Sequence, residues 1–172
     1  MIPPPDPGTP MRAQDLTLDS FRPADAPVLR AVDSDPEHRR RFDFPHDFVP
    51  SLHHSAAVIA RWDEERRAGV RFPFAVRIAA TGELVGGCEL QPRGDGAASL
   101  SYWTHPLHRR RGVASEAARQ LCALAFAELG FRQVEVEADL DNHGSRRVAV
   151  SAGFTEAGVR NGRALYLLAG GA

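Results

Sequence analysis

Three consecutive arginines stand directly before the strongest helix pattern in the chain. Arg109, Arg110 and Arg111 are followed by Gly112, and an amphipathic segment begins at Val113. The first backbone N–H groups of a helix have no acceptor inside the helix, so they bind anions, and the helix dipole adds to this preference. A cationic run at this end opposes the dipole unless an anion compensates it. The segment therefore predicts either a site for a phosphate-type anion or an ordinary solvated arginine run.

Other common catalytic signatures do not occur in the sequence. There is no glycine-rich dinucleotide fingerprint, no phosphate loop ending in Gly-Lys-Ser/Thr, no His-Glu-x-x-His and no Gly-x-Ser-x-Gly. His105 and His108 are close in sequence, but Pro106 between them prevents a shared helical face and no third metal ligand is evident. We therefore expect surface histidines here and no metal site.

The composition is typical of one globular domain with a small-molecule or protein partner. The 172 residues are 43% hydrophobic and 25% charged, and the formal net charge is -1. This balance argues against nucleic acid or an anionic membrane as the main partner, because both require excess positive charge. No apolar run approaches the roughly 20 residues of a membrane span. Cys88 and Cys122 lie in apolar runs far apart in sequence, which favours a reduced, cytoplasmic protein without disulfides.

Hydrophobic periodicity and turn residues predict an α+β fold, a single domain with a mixed, mostly antiparallel central sheet flanked by helices. The prolines of residues 1–14 predict a flexible tail, and residues 15–172 form the predicted domain. Strands are predicted from residue 16, over 72–80, 84–90, 98–104 and 133–139, and as a hairpin over 155–160 and 164–168. Helices are predicted over 23–32, 51–68, 112–129 and 145–152, with a loop or short helix in 33–50.

The second helix has a predicted start and a predicted buried face. Ser51 is expected to cap it, and Ala57, Ile59, Ala60 and Trp62 are its expected apolar members.

The segment Arg109-x-x-Gly112-x-Ala114 resembles the Gln/Arg-x-x-Gly-x-Gly/Ala signature of the GNAT N-acetyltransferases. Beyond this motif, the chain resembles the RimJ/RimL-like ribosomal-protein N-acetyltransferase branch of the family over about residues 16–168. The similar segments are Asn142-x-x-Ser145, Ala152-Gly153-Phe154, Ser101-Tyr102-Trp103 and residues 18–28 near the start of the domain. The predicted order of strands and helices agrees with that family's fold independently of the motif.

The resemblance implies acetyl-CoA as co-substrate and assigns residues to it. The pyrophosphate is expected on Arg109, Arg110, Arg111, Gly112, Val113 and Ala114, and pantetheine along Tyr102, Trp103 and Thr104. Asn142 is expected near the pantetheine arm and Ser145 near the sulfur. From the residues alone, Asn142 is also a candidate helix cap and Ser145 a residue of the first helical turn.

The resemblance also implies where an acid and a base would lie. Many relatives place a tyrosine seven residues beyond the asparagine as the acid for the departing thiolate, and this chain has Ala149 there. We expect Ser145 to replace it. Glu137 matches a position used as the base in some relatives, although it also suits an exposed strand carboxylate; Glu89 and His105 are weaker candidates.

The expected activity is acetyl transfer to a primary amine by direct attack, without a covalent enzyme intermediate. An α-amine has a pKa near 7.7–8.0 and a lysine side chain one near 10.4, so a protein or peptide N-terminus is the favoured acceptor. We expect acceptor binding in 42–62, where Phe42, Phe44 and Phe48, together with Trp103, could wall a pocket or belong to the core. A catalytically inert CoA-binding or interaction module, an acetyltransferase for small amines, and a homodimer stay open.

Overall fold

The computed structural model describes residues 11–171, in which seven strands and five α-helices alternate. The strands are β1 (Leu16–Asp19), β2 (Phe72–Ile78), β3 (Leu84–Gly94), β4 (Ala97–Thr104), β5 (Gln133–Asp139), β6 (Thr155–Arg160) and β7 (Arg163–Ala169). The helices are α1 (Ala26–Asp33), α2 (Pro36–Arg41), α3 (Leu52–Arg67), α4 (Val113–Ala127) and α5 (His143–Ser151). This order confirms the predicted α+β class.

All seven strands belong to one sheet, in the order β1-β2-β3-β4-β5-β7-β6. Every neighbouring pair is antiparallel except β4 and β5, which are parallel. Their pairing joins only Ala97–Ser99 to Gln133–Glu135, although β4 continues to Thr104 and β5 to Asp139. The two central strands therefore separate along their second halves and open the sheet in its middle.

Helices cover both faces of the sheet. On one face, α4 packs Ala118, Leu121 and Ala125 against strand residues such as Leu90 and Val134, and all five side chains are fully buried. On the other face, a smaller apolar cluster contains Leu29, Ile59, Ala75 and Leu84, with Trp62 and Trp103 packed against it. Both apolar layers follow from the sequence, because apolar residues alternate with polar residues along the strands and recur at the helical period along the helices.

The helix α3 confirms its predicted start and corrects its predicted face. The Ser51 hydroxyl accepts the backbone N–H of His54 at 3.0 Å, as expected of a cap. Ala57 and Ala60, however, are exposed, and Ile59 is buried with Ser55. The prediction was right for Ile59 and Trp62 and wrong for the two alanines, because a short alanine carries little hydrophobic area and the larger side chains set the rotation of the helix.

The predicted N-terminal tail falls mostly outside the described residues, which begin at Met11. Met11 itself is 6% exposed and belongs to the main core, and its N–H donates to the Arg111 carbonyl at 2.7 Å. A short 3-10 turn follows at Ala13–Asp15. The last residues of the predicted tail therefore contact the domain, because the apolar Met11 side chain finds a place in the core beside α4.

Among the described residues, no helix has the length and apolar character needed to cross a membrane.

Candidate functional site

The separation of β4 and β5 creates a cleft of about 1070 Å³ in the centre of the molecule. Its walls come from α2, from β4 and β5, from the segment that precedes α4, and from the start of α5. Because Ala97–Ser99 is the only part of β4 that pairs with β5, backbone groups nearer Thr104 face the cleft along the β5 side. Such free strand edges offer hydrogen bonds to an extended ligand.

The N-terminus of α4 opens into this cleft through the arginine loop, which we define as Arg109–Gly112. Gly112 caps the helix with φ of +79°, a left-handed conformation that glycine adopts without strain. Gly112, Val113 and Ala114 all line the cleft. The unpaired N–H groups of the first turn and the positive end of the helix dipole therefore meet at one place, as an anion site requires.

The three arginines of the arginine loop have different surroundings. Arg109 forms an ion pair of 2.6 Å with Asp35, the residue that caps α2, and lines the cleft beside the exposed Arg110. Arg111 is only 9% exposed and its guanidinium contacts the His108 ring at 3.0 Å. Of the predicted phosphate-binding set, the structure thus brings all members but Arg111 to the cleft wall.

Tyr102 and Ser145 meet inside the cleft. The Tyr102 hydroxyl donates to the Ser145 carbonyl at 2.9 Å and lies 3.0 Å from the Ser145 hydroxyl. Burial raises the pKa of Tyr102 to about 12, although the hydrogen bond with Ser145 opposes this change. Two hydroxyl groups, one from β4 and one from α5, are therefore coupled at one point.

Asn142 performs the helix-capping role considered from the sequence. Its side-chain oxygen accepts the backbone N–H of Ser145 at 3.1 Å at the start of α5, and both residues line the cleft. Ala149, one turn further along, is completely buried in the core. The helix thus presents Ser145 to the cleft and offers no other hydroxyl at the position where relatives are expected to carry tyrosine.

Glu137 lies in the cleft wall, but its carboxylate is already engaged. The Arg160 guanidinium donates to Glu137 Oε1 at 2.7 Å and also binds Glu135 at 2.6 Å. The ion pair engages Glu137 Oε1 and favours the charged form of the carboxylate, which makes it a weaker base. This contact counts against the predicted role of Glu137 as base.

Trp103 and Thr104 continue β4 beyond Tyr102 and also line the cleft. The Trp103 side chain lies on the opposite face of the sheet from Tyr102, because strand residues alternate. It packs across Gly87, where an added Cβ would lie 2.5 Å from the indole Nε1, and beside the rings of Phe21 and His38.

The helix α2 crosses between the two sides of the cleft and is tied to both. At its start, Asp35 binds Arg109 of the arginine loop. At its end, Arg41 binds Asp139, the last residue of β5, at 3.0 Å and Asp141, just beyond β5, at 2.8 Å. The short helix that the sequence left open is therefore part of the cleft wall, held by ion pairs more than by apolar packing.

The histidines and the aromatic candidates can also be placed. His108 contacts Glu83 at 3.1 Å, and His105 accepts the Leu107 N–H through its ring. No cluster suited to a metal ion occurs within residues 11–171. Of the predicted aromatic wall, Phe42, Phe44 and Trp103 line a second, smaller cavity.

Two features of the site were not predicted from the sequence. Tyr102 was predicted only as part of the strand along pantetheine, and its hydroxyl was given no role. Residues two apart in a strand share a face, so the buried Leu100 could have placed the Tyr102 side chain on the α4 and α5 face. The ion pair between Glu137 and Arg160 had no local signal, because it joins β5 to β6 across β7 and so depends on the order of strands in the sheet.

A family model matches most of the chain: the acetyltransferase (GNAT) domain covers residues 15–155. No curated protein sequence matches. Solved structures match at low sequence identity, and three of them are described below.

RimJ of Mycobacterium smegmatis, in complex with a CoA disulfide, has a TM-score of 0.74 at 19% identity, covering 90% of this chain and 81% of that chain. RimL, described as a ribosomal L7/L12 alpha-N-protein acetyltransferase in complex with CoA, has a TM-score of 0.78 at 18% identity. The match covers 90% of this chain and 94% of that chain. The microcin C7 self-immunity acetyltransferase MccE, in complex with acetyl-CoA and AMP, has a TM-score of 0.78 at 15% identity, covering 94% and 97%. These likenesses show a shared fold.

Proposed function

The chain belongs to the acetyltransferase (GNAT) family and is an acyl-CoA-dependent N-acyltransferase with acetyl-CoA as co-substrate, and from this premise we propose that its acceptor is the α-amine of a peptide or protein N-terminus. The observation that carries the proposal is the cleft between β4 and β5, which joins the N-terminus of α4 to the paired hydroxyls of Tyr102 and Ser145.

The cofactor-binding part of the proposal uses the α4 end of the cleft. The backbone N–H groups from Gly112 to Ala114 bind the pyrophosphate, with Arg109 and Arg110 as charged partners. Arg109 then exchanges its carboxylate partner Asp35 for a phosphate oxygen. The pantetheine arm lies along the unpaired edge of β4 near Tyr102–Thr104 and reaches Asn142 and Ser145.

The acid side of the reaction falls to Ser145. When the C–S bond breaks, its electron pair stays on sulfur, and the Ser145 hydroxyl donates a hydrogen bond to that thiolate. The Tyr102 hydroxyl lies 3.0 Å from the Ser145 hydroxyl and acts through it. Such donors stabilise charge that develops only in the transition state.

Direct attack by the amine agrees with the state of the two cysteines. Cys88 and Cys122 are both buried and free, and burial raises the pKa of each thiol, that of Cys122 to about 12. A thiol, unlike a thiolate, is a poor nucleophile, so neither residue is suited to carry an acyl group. Free buried thiols also suit the reducing, cytoplasmic setting that we propose for the protein.

The choice of an N-terminal α-amine rests on its acidity and on fold similarity. An α-ammonium group loses its proton near neutral pH, whereas the pKa of a lysine side chain is about 2.5 units higher, so lysine needs a stronger base. RimL, an alpha-N-protein acetyltransferase, shares the fold at 18% identity. Both points support the proposal.

The test compares two peptides of otherwise identical sequence. One has a free N-terminus and no lysine, and the other has a blocked N-terminus and one internal lysine. We expect CoA release and a mass gain of one acetyl group with the first peptide, at a rate at least about tenfold above the second. Preference for lysine, for amino sugars or for polyamines would contradict the N-terminal acceptor, and tight acetyl-CoA binding without turnover on any amine would indicate an inert module.

A further inference from the structure

A second, smaller cavity of about 250 Å³ lies on the other face of β4 from the Tyr102 hydroxyl, between the sheet and the helices α1 to α3. It shares one wall with the cleft. The residues common to both are Glu89, Ser101 and Trp103 from the sheet, His38 from α2 and Phe42 directly after α2. A ligand group held in the second cavity therefore lies next to the cleft.

Five phenylalanine and tryptophan rings, with the rings of His38 and His54, line the second cavity beside the charged side chains of Asp33, Arg61 and Arg71. Phe21 and Trp62 have ring centroids 4.8 Å apart, and His38 and Phe42 have centroids 4.6 Å apart. Phe44 and Trp103 complete the aromatic lining. The volume lies below the roughly 300 Å³ at which pockets for whole drug-sized ligands begin, so the space suits one ring or one branched side chain.

Glu89 is the carboxylate in the shared wall. It lies on β3 opposite Ser101 of β4, and its side chain is 23% exposed. Its nearest cationic atom belongs to Arg71, at 3.6 Å, beyond hydrogen-bond distance. Glu137, by comparison, is held by Arg160 at 2.7 Å. Glu89 is therefore the cleft carboxylate with more freedom to accept a proton.

The surroundings of Glu89 also suit a base. Burial raises its pKa and Glu65 adds to the increase, whereas Arg71 and a hydrogen bond from Ser101 oppose it. A raised pKa brings a carboxylate closer to the acidity of the group it must deprotonate. The titratable or charged groups around Glu89 and the cavity are Asp33, His38, His54, Arg61, Glu65 and Arg71.

We propose that the second cavity binds a bulky apolar or aromatic group attached to the acceptor amine, and that Glu89 is the base that takes the amine's proton. This inference rests on the proposed acetyltransferase function and adds the class of acceptor: an amine whose neighbouring carbon carries a side chain like that of phenylalanine or leucine. With that side chain in the second cavity, the nitrogen lies at the shared wall between Glu89 and the thioester.

The proposed step moves two protons and one acetyl group. The Glu89 carboxylate accepts one proton from the ammonium group, and the nitrogen lone pair forms the N–C bond with the thioester carbonyl carbon. The C–S bond breaks with its electron pair on sulfur, which takes a proton supplied through Ser145. The nitrogen loses its second proton, which replaces the one given by Ser145, and Glu89 releases its proton to solvent. The products are the amide, CoA and one proton.

The first test measures kcat/KM for peptides that differ only in the N-terminal residue, with Phe, Leu, Ser or Gly. We expect Phe and Leu to exceed Gly by about tenfold or more, since one well-filled apolar pocket supplies discrimination of this size. Val58→Phe, which fills the cavity from α3, should reduce the rate on the Phe peptide at least about tenfold and leave the Gly peptide within about twofold.

The matched control is Val70→Phe, at a residue that is 56% exposed and away from both cavities. It should leave the preference unchanged.

If Val58→Phe does not fold, Val58→Ala enlarges the cavity and should shift the preference from Leu toward Trp. Free phenylalanine amide in place of the peptide distinguishes a small-molecule amine from a chain terminus. Equal rates on all four peptides, with acetylation intact, would overturn the inference while the proposed function stands.

The second test examines Glu89→Gln between pH 6.5 and 9.5. Loss of a base should lower kcat/KM about 100-fold at pH 7, and the loss should shrink toward pH 9, where the α-amine is already neutral. A purely structural role would give a loss that does not change with pH. Glu137→Gln is the comparison variant. A pH-independent loss in Glu89→Gln, or the pH-dependent loss in Glu137→Gln instead, would contradict Glu89 as the base.

Discussion

At the scale of single residues, we propose that the coupling of Tyr102 to Ser145 compensates for the alanine at position 149. The expected hydroxyl of α5 is absent because Ala149 is buried in the core, and a bulky ring there would not fit without rearrangement. A tyrosine hydroxyl reaches the same region from β4 instead. In the proposed mechanism, the hydroxyl near the thioester therefore comes from a different element of the fold.

The first prediction concerns Tyr102→Phe, which removes only this hydroxyl. We expect kcat to fall about tenfold to 100-fold and KM for acetyl-CoA to change less than about twofold, since the lost interaction serves the transition state. Because burial raises the pKa of Tyr102 to about 12, the hydroxyl stays protonated and the wild-type rate should not fall through its ionisation below about pH 10. Steady-state kinetics with acetyl-CoA and a peptide measure both parameters.

Two further variants make the result specific. Tyr166→Phe removes another buried hydroxyl, which accepts a hydrogen bond from Arg146 at 3.0 Å and does not line the cleft, and should keep kcat within about twofold. Tyr102→Phe combined with Ser145→Ala should lose little more than Ser145→Ala alone, because the two hydroxyls act as a unit. Additive losses would show that Tyr102 does not act through Ser145.

At the scale of elements, the N-terminus of α4 is the anion site that we propose, and the left-handed Gly112 starts the helix there. Gly112 has φ of +79°, and an added Cβ would meet only the Met11 carbonyl at 3.9 Å. Space for a side chain therefore exists on the protein side. The approach of a phosphate to the backbone N–H groups is what a side chain would impede.

The second prediction concerns Gly112→Val. Acetyl-CoA should raise the Tm of the wild-type protein with increasing dose, because a ligand that binds only the native state stabilises it. In Gly112→Val we expect a lower Tm without ligand, from a strain of about 1–3 kcal/mol, and no response to millimolar acetyl-CoA. Thermal unfolding followed by fluorescence measures both effects.

Gly130→Val is the matched control for this experiment. Gly130 has φ of +75° just after the other end of α4, and an added Cβ would meet no atom within 4 Å, so the same strain is introduced far from the cleft. Its unliganded Tm should fall by a similar amount while the full acetyl-CoA shift is kept. An acetyl-CoA shift that survives in Gly112→Val would contradict the placement of the pyrophosphate.

At the scale of the whole molecule, one buried charge cluster attaches the N-terminal segment to the sheet. Arg77 of β2 binds Asp25, before α1, at 2.7 Å and Asp19 of β1 at 2.7 Å. Arg77 and Asp25 side chains are 4% and 7% exposed. This cluster holds the start of α1 beside the sheet, and α1 and α3 together cover the face that contains the second cavity.

The third prediction concerns Asp25→Asn. Breaking a buried ion pair leaves Arg77 poorly compensated, and we expect the free energy of unfolding at pH 7 to fall by about 3 kcal/mol. Burial alone would raise the pKa of Asp25, but hydrogen bonds from Arg77 and the Arg22 backbone outweigh it and lower the pKa. The stabilisation is therefore complete above the ordinary value of 3.8 and is lost as pH falls through the lower folded value.

Urea unfolding at pH 7 and at successively lower pH measures this dependence. The difference in unfolding free energy between wild type and Asp25→Asn should narrow only below pH 3.8. Asp19→Asn, at a side chain that is 35% exposed, should cost clearly less than Asp25→Asn. An equal loss in both variants would show that burial is not what gives Asp25 its importance.

The sequence alone determined the order of elements and singled out the arginine loop that we propose as the anion site. Period-2 and helical patterns are carried by residues close in the chain, and so are turn and cap signals such as Ser51 and Gly112. These local signals predicted the strands, the main helices and the arginine loop. They did not set the face of α3, because neighbouring alanines and larger apolar residues compete for the same sheet surface.

Only the tertiary structure decided which side chains share the cleft. Tyr102 and Ser145 are 43 residues apart, and Glu137 and Arg160 are 23 apart. The first contact requires β4 and β5 to separate after Ala97–Ser99, and the second requires β7 and β6 to follow β5 in the sheet. Glu89 likewise gained its place in the wall between two cavities from packing on both faces of the sheet. Strand order and separation depend on the packing of the whole core, so no short stretch of sequence encodes them.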